Sequence, residues 1–177
     1  MDTMKNLLII CGQEGAGKST LAKAIVPHLK NGAAFDAENI LQVNPFEFDE
    51  NFQSLALENS LDLIHNFFEG GYENVVAGSF LIDKTHFDAF KAKLQYEPKI
   101  YILMLTVEKG TRDERRMNRD KKTTKEWMDL VDSKFSLETS LKDKADESYT
   151  YFEIDNTKLD VADTISLLKQ KIPQFFS

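Results

Sequence analysis

Residues 12–19 of this chain are Gly-Gln-Glu-Gly-Ala-Gly-Lys-Ser, and they follow Cys11 and the apolar run 7–10. Phosphate groups are bound where several N–H donors converge, and glycines at 12, 15 and 17 let the backbone bend so that successive amides point inward. A helix that starts after them adds the positive end of its dipole. The spacing therefore predicts a phosphate-binding loop, formed by Gly12, Gln13, Glu14, Gly15, Ala16, Gly17, Lys18, Ser19 and Thr20.

The last two residues of the pattern suit a nucleoside triphosphate that is bound with magnesium. Lys18 can reach the β- and γ-phosphates, and the Ser19 hydroxyl can be a ligand of Mg²⁺. The alternative is a glycine-rich turn that merely joins a strand to a helix, with Lys18 solvated. The complete pattern favours a P-loop that binds ATP and Mg²⁺, and it leaves GTP open as the nucleotide.

Five short apolar runs predict buried strands, and the segments between them have helical spacing. Strand and helix alternate along the chain, which is typical of a parallel sheet with helices on both faces. We therefore expect a three-layer α/β/α P-loop NTPase fold with a five-stranded parallel sheet, as one domain over residues 1–177. The predicted strands are residues 7–10, 33–35, 75–77, 100–105 and 151–154.

Charge and cysteine content limit the partners and the compartment. The net charge of -7 disfavours binding to nucleic acid or to an anionic membrane, so a small-molecule partner is favoured. Cys11 is the only cysteine, which is typical of a reducing compartment such as the cytoplasm, and we expect it to be a buried, inert strand residue. No apolar run is long enough to span a bilayer. We expect a monomer or a weak dimer.

Asp36 supplies a carboxylate at the end of the second predicted strand. Ligands of doubly wound sheets lie at the carboxyl ends of the strands, so Asp36 should face the γ-phosphate beside Ser19. There it could accept the proton of an attacking hydroxyl or hold Mg²⁺ through water. The alternative is a helix N-cap, since Asp is a common cap. Glu38 could contact the acceptor or could be a first-turn helix residue, and the second interpretation is favoured.

Arginines follow the fourth predicted strand in the charged segment 112–122. Arg115 and Arg119 are four residues apart, so a helix places them on one face, where guanidinium groups could stack on adenine and neutralise a transferring phosphoryl group. The alternative is a solvated helix face that pairs internally. For Arg112 and Arg116 the solvated face is the favoured interpretation.

The P-loop, the Phe-Asp-x-Glu at 35–38 and the Arg-x-x-x-Arg at 115–119 together resemble the small P-loop kinases of the shikimate kinase and gluconate kinase group. The resemblance implies a nucleoside monophosphate kinase-like fold in which Asp36 and Glu38 serve Mg²⁺ and the acceptor, and Arg115 and Arg119 meet adenine and phosphate. With the lysine of the P-loop, the predicted catalytic residues are Lys18, Asp36 and Arg119. It also implies a mobile lid at about 120–125, and a loop at Asn156 and Thr157 that edges the adenine. The turn Gly78-Ser79-Phe80, which replaces a Gly-Gly-Gly turn of shikimate kinases, leaves the acceptor open.

The acceptor is expected against segment 40–71, which contains five phenylalanines and no arginine. A dianionic acceptor would require arginine clamps, so a neutral or aromatic acceptor is favoured. The sequence therefore predicts an ATP-dependent kinase that phosphorylates a hydroxyl of a small molecule. Two alternatives remain, namely a nucleic-acid or nucleotide kinase and a non-catalytic ATP-binding module.

Overall fold

The strands and helices alternate as the apolar runs predict. The computed structural model describes residues 4–119, 123–134 and 137–176. Two short 3-10 turns, Val26–His28 and Pro173–Phe175, complete the described elements. The strands and α-helices are β1 (Asn6–Gly12), α1 (Lys18–Ile25), β2 (Gly32–Asp36), α2 (Ala37–Ile40), α3 (Glu50–Glu69), β3 (Asn74–Gly78), α4 (Lys84–Lys93), β4 (Lys99–Thr106), α5 (Lys109–Met117), α6 (Lys125–Lys134), α7 (Ser140–Asp143), β5 (Thr150–Asp155) and α8 (Val161–Lys171).

The five strands form one parallel sheet in the order β2-β3-β1-β4-β5. Each predicted strand is present and is longer by one or two residues at its ends. Because all five strands run in the same direction, their carboxyl ends meet at one edge of the sheet. The P-loop after β1, Asp36 at the end of β2 and Gly78 at the end of β3 therefore share that edge.

Helices cover both faces of the sheet, because successive side chains of a strand point to opposite faces. Leu7 and Ile9 of β1 pack on one side with α3 and α4, whereas Leu8 and Ile10 pack on the other side with α1 and α8. All four side chains are fully buried, which explains why β1 is apolar throughout rather than alternating. The predicted three-layer α/β/α fold is confirmed.

Cys11 lies on the same side of β1 as Ile9. It is buried, and burial raises the pKa of its thiol to about 12. The thiol therefore stays protonated at neutral pH, so the prediction of an inert strand residue is confirmed. None of the described helices combines the length and the apolar character that crossing a membrane requires.

Candidate active site

The predicted glycine-rich turn connects β1 to α1 and is constrained by its neighbours. Gly12, Gly15 and Gly17 have φ values of 145°, 84° and 100°, which disfavour any residue with a side chain. A Cβ atom at Gly12 would lie 2.6 Å from the Leu105 carbonyl oxygen, and one at Gly15 would lie 2.9 Å from that of Arg112. The loop therefore lies directly against β4 and α5, which define its path.

Helix α1 begins without a side-chain cap. Its N-cap is Gly17, which has no side chain to accept the N–H groups of the first turn. Such groups, together with the helix dipole, form an anion-binding site when glycine turns precede them. The structure of residues 12–19 is therefore suited to the phosphates of a nucleotide.

An ion pair between Lys18 and Glu38 joins α1 to α2 at the edge of the sheet where the strands end. The buried Lys18 places its Nζ 3.3 Å from the carbonyl oxygen of Gln13 and 3.8 Å from Oε1 of Glu38. Glu38 lies in the first turn of α2, as predicted, and its side chain is half exposed. This ion pair was not predicted from the sequence, and it places the segment after β2 beside the P-loop.

Asp36 is buried and is the N-cap of α2. Its Oδ1 accepts a hydrogen bond from the Glu38 N–H at 3.1 Å, and its Oδ2 accepts one from the Ser79 hydroxyl at 2.8 Å. Asp36 therefore caps α2, which is the alternative role that the sequence left open for it. Each carboxylate oxygen has two lone pairs, so capping leaves capacity for a proton or for metal-bound water.

Ser79 and Gly78 explain how Asp36 is accommodated. Ser79 has a φ of 64°, an uncommon value for a residue with a side chain, and its hydroxyl orients the Asp36 carboxylate. A Cβ atom at Gly78 would lie 2.8 Å from Oδ2 of Asp36, so a larger residue there would displace this carboxylate. The Gly78-Ser79 turn that departs from shikimate kinases thus holds the carboxylate, which sequence reasoning missed.

Arg115 and the loop after β5 meet beside the P-loop. Arg115 Nη2 donates to the Asn156 carbonyl oxygen at 2.8 Å, while the Asn156 side chain donates to the Ala16 carbonyl oxygen at 2.9 Å. Thr157 accepts the Glu108 N–H through Oγ1 at 3.0 Å. The structure therefore brings Arg115, Asn156 and Thr157 together, with the Asn156 side chain directed to the loop backbone.

Arg112 and Arg116 are not on a solvated face, so that interpretation was wrong. Their exposed fractions are 4% and 2%. Arg112 pairs with both oxygens of Asp132 at 2.9 and 3.2 Å, and Arg116 donates to Glu14 Oε2 at 2.8 Å. These carboxylates belong to α6 and to the P-loop, which balances the charge that burial would otherwise penalise.

Arg119 lies two residues beyond Met117, the last residue of α5, so the prediction that one helix places Arg115 and Arg119 on the same face is wrong. Arg119 is exposed, and its backbone N–H donates to the Arg116 carbonyl oxygen at 3.3 Å. The predicted lid at 120–125 lies in part outside the described residues, because 120–122 are not described. The exposed Trp127 lies in α6 just beyond it.

The acceptor-side segment presents aromatic side chains to solvent. Phe46 and Phe48 are exposed by 56% and 44%, and both rings contact Phe52, with centroids 5.0 and 5.8 Å away. A shallow groove of about 300 Å³ lies beside them. It is lined by Val43, Pro45, Glu47, Asp49, Asn51, Phe52 and Leu55.

A parallel sheet of this strand order with a glycine turn from β1 into α1 defines the P-loop NTPase fold, and solved structures that are similar in shape include kinases. A sugar kinase from Janibacter sp. matches with a TM-score of 0.66 and 11% identity over 94% of this chain and 93% of that chain. A gluconokinase from Sinorhizobium meliloti matches with a TM-score of 0.61 and 10% identity over 97% of both chains.

A deoxyadenosine kinase from M. mycoides matches with a TM-score of 0.58 and 17% identity over 94% of this chain and 98% of that chain. The protein therefore has the fold of P-loop kinases, and the resemblance is confirmed at the level of the fold. The sequence matches no protein-family model and no curated protein. Sugar and nucleoside kinases are both among the similar structures, so the likeness leaves the acceptor open.

Proposed function

We propose that the protein is a phosphotransferase that moves the γ-phosphoryl group of ATP to a hydroxyl of a small-molecule acceptor, with Mg²⁺. The observation that carries this proposal is the 3.8 Å contact between Lys18 and Glu38. Glu38 also donates its N–H to Asp36, so a buried carboxylate stands close to the lysine of the phosphate loop. A phosphate site beside a buried carboxylate is the arrangement that hydroxyl phosphorylation requires.

The donor side is assigned to the P-loop and to the residues around it. Backbone N–H groups of 12–19 bind the phosphates, and Lys18 exchanges its contacts with Gln13 and Glu38 for the β- and γ-phosphates. Ser19 and, through water, Asp36 are oxygen donors of the kind that Mg²⁺ prefers, and the ion would neutralise phosphate charge. Arg115 with Asn156 and Thr157 borders the base.

The acceptor side is assigned to Asp36 and segment 40–71. Asp36 takes the proton of the attacking hydroxyl, and Ser79 keeps its carboxylate oriented. Arg119 stabilises the charge of the transferring group. Nucleophile and proton acceptor then lie on the opposite side of the γ-phosphate from the leaving ADP, as in-line displacement demands.

The charge of the acceptor side selects the class of acceptor. Residues 31–83 contain ten acidic residues and neither Lys nor Arg. Dianionic acceptors are recognised by guanidinium forks and lysines, which this segment cannot supply. We therefore assign the acceptor to the uncharged or cationic alcohols, with an apolar part that contacts Phe46, Phe48 and Phe52.

Calorimetric titration with ATP and Mg²⁺ tests the donor site. Lys18→Ala should weaken ATP binding at least about tenfold, since charge-assisted contacts to phosphate are lost. Lys23→Ala is the matched control, because Lys23 is an exposed lysine in the last turn of the same helix and should leave the affinity unchanged. Equal affinity for wild type and Lys18→Ala would refute the assignment of the loop.

A further inference from the structure

A buried cluster of charges connects the P-loop to two helices. Asp132 of α6 accepts hydrogen bonds from Arg112 and, at 3.1 Å, from Nη2 of Arg116. Arg116 also reaches Glu14 Oε2 through Nε at 3.2 Å and Nη2 at 2.8 Å. Its Nη1 donates to Asp113 Oδ1 at 3.2 Å. Arg116 is thus surrounded by carboxylates from three separate parts of the chain.

Several contacts join α5 to the P-loop backbone. Arg112 Nη1 lies 3.4 Å from the carbonyl oxygen of Glu14, so the loop is contacted at its backbone as well as at its side chain. Gly15 leaves no room for a Cβ atom against Arg112. A displacement of α5 would therefore displace residues 14 and 15.

The charges of the cluster oppose the cost of their burial. Burial alone would raise the pKa of Asp132, but Arg112 and Arg116 outweigh it and lower that pKa below its usual value. Burial would likewise lower the pKa of Arg116, but Glu14 and Asp132 raise it. Asp132 and Arg116 are therefore charged at neutral pH, and the geometry of each depends on its partners.

Glu14 gives the cluster its connection to function. Its side chain is 36% exposed, and it belongs to the loop that would receive the phosphates. An unpaired carboxylate there would repel a triphosphate. The fork of Arg116 holds this carboxylate against α5 and neutralises it. Asp132 accepts from the same Nη2 that contacts Glu14, and this second bond fixes the direction of the guanidinium.

We propose that Asp132 and Arg116 are positioning residues of the nucleotide site: Asp132 orients Arg116, and Arg116 holds and neutralises Glu14 so that the P-loop keeps the conformation that accepts phosphates. The part of this inference that concerns nucleotide binding rests on the proposed function. The part that concerns the conformation of the loop rests on the contacts alone. The two parts are therefore tested separately.

Hydrogen exchange without any ligand tests the effect on the loop. In Asp132→Asn the amides of 12–19 should exchange about tenfold faster or more, because the loop opens locally, while those of β1 and β4 keep their protection. Asp129→Asn is the matched control. It makes the same change on the same helix, but Asp129 is exposed and pairs with Lys109 at 3.1 Å. Unchanged loop exchange in Asp132→Asn, or a uniform increase throughout the sheet, would overturn the proposal.

A second variant separates positioning from folding. Replacing Arg112, Arg116 and Asp132 together by Leu removes three buried charges and leaves only the partly exposed Glu14 without its arginine, and proteins often tolerate such a replacement of buried ion pairs. The sheet amides should then remain protected while the loop still exchanges faster, because Glu14 has lost its partner. If the loop keeps wild-type protection in this variant, the cluster contributes packing alone and the proposal fails.

ATP titration measures the functional consequence. The dissociation constant for ATP with Mg²⁺ should rise about tenfold in Asp132→Asn and stay unchanged in Asp129→Asn. In Asp132→Asn part of the binding free energy is needed to order the loop, which wild type already holds in place. An unchanged constant in Asp132→Asn would contradict the link to the nucleotide. If wild type itself binds no ATP, the proposed function fails, and the exchange experiment still decides whether Asp132 positions the loop.

Discussion

The side-chain amide of Asn156 donates a hydrogen bond of 2.9 Å to the carbonyl oxygen of Ala16, so the loop after β5 holds the P-loop on the side away from α2. The same side chain accepts from the Thr164 hydroxyl at 2.8 Å through Oδ1. Asn156 is buried, and its amide group thus joins the P-loop to α8. The partners of the first bond are 140 residues apart in sequence and those of the second are 8 residues apart. Both bonds are made by the one side chain of Asn156.

Asn156→Ala should lower the free energy of unfolding by about 1–3 kcal/mol, because the buried Ala16 carbonyl and Thr164 hydroxyl lose a partner. Urea unfolding measures the change. Asn66→Ala on α3, where Asn66 is exposed, is the control and should stay within about 0.5 kcal/mol of wild type. A similarly small effect at Asn156 would show that the bond contributes nothing net.

Gly15→Ala should destabilise the protein and weaken ATP binding, since the new Cβ would meet the Arg112 carbonyl oxygen at 2.9 Å and φ is 84°. Gly71→Ala isolates the conformational part, because φ is 90° there and nothing lies within 4 Å of the new atom. Gly110→Ala, in open space within α5, should stabilise by up to about 1 kcal/mol. Thermal unfolding ranks the three variants, and a Gly15→Ala protein as stable as Gly71→Ala would contradict the close packing.

The strands and the P-loop could be predicted from the sequence because their signals are local. Parallel strands buried on both faces are continuous apolar runs, and residues 7–10 show this directly. Three glycines at fixed spacing likewise identify the turn from its own residues.

The charged part of the site could not be predicted, because its partners are distant in sequence. Helical spacing places Arg112 with Arg116 and Arg115 with Arg119, but it does not say which pair is buried. That depends on Glu14, 102 residues from Arg116, and on Asp132, 16 residues from it. The Ser79 hydroxyl bond to Asp36, across 43 residues, was hidden for the same reason.

Acidification should remove a contribution that Asp146 makes to stability. Hydrogen bonds from Ser148 and the ion pair with Lys84 lower the pKa of Asp146 to about 2, from 3.8. A carboxylate whose pKa is lower in the folded state than in the unfolded state stabilises the folded protein at pH values above its unfolded pKa. This stabilisation is lost as the pH falls from about 4 to about 2. Unfolding free energies at pH 7 and pH 3 should therefore differ less in Asp146→Asn than in wild type. Asp62→Asn, an exposed change on α3, is the control, and the same pH difference in Asp146→Asn and wild type would contradict the assignment.

Arg119→Lys should lower turnover, because it keeps the charge but removes the planar fork that would stabilise the transferring group. Arg115→Lys should mainly raise the KM for ATP, since Arg115 donates to the carbonyl oxygen of Asn156, in the loop that we propose borders the base. Steady-state kinetics of both variants separates the two effects. An unaltered turnover in Arg119→Lys would count against its role.

Asp36→Asn should retain most of the ATP affinity and lose about a hundredfold to ten-thousandfold of the turnover, because Asn caps α2 as well as Asp does but accepts no proton. If Asp36 instead orders the Mg²⁺ shell, the variant should need more Mg²⁺, and excess metal should partly restore the rate. Wild-type turnover in Asp36→Asn at limiting Mg²⁺ would defeat both roles and leave Asp36 as a cap alone.

Transfer of labelled phosphate from ATP to a set of small alcohols tests the proposed activity most directly. The set contains uncharged, cationic and dianionic alcohols, and wild type is compared with Lys18→Ala, with Lys23→Ala as the control. We predict a phosphorylated product, detected by its gain in mass, from an uncharged or cationic alcohol with wild type and Lys23→Ala, and none with Lys18→Ala. Tight binding of ATP without a product from any class, or a product from dianionic alcohols alone, would contradict the proposal.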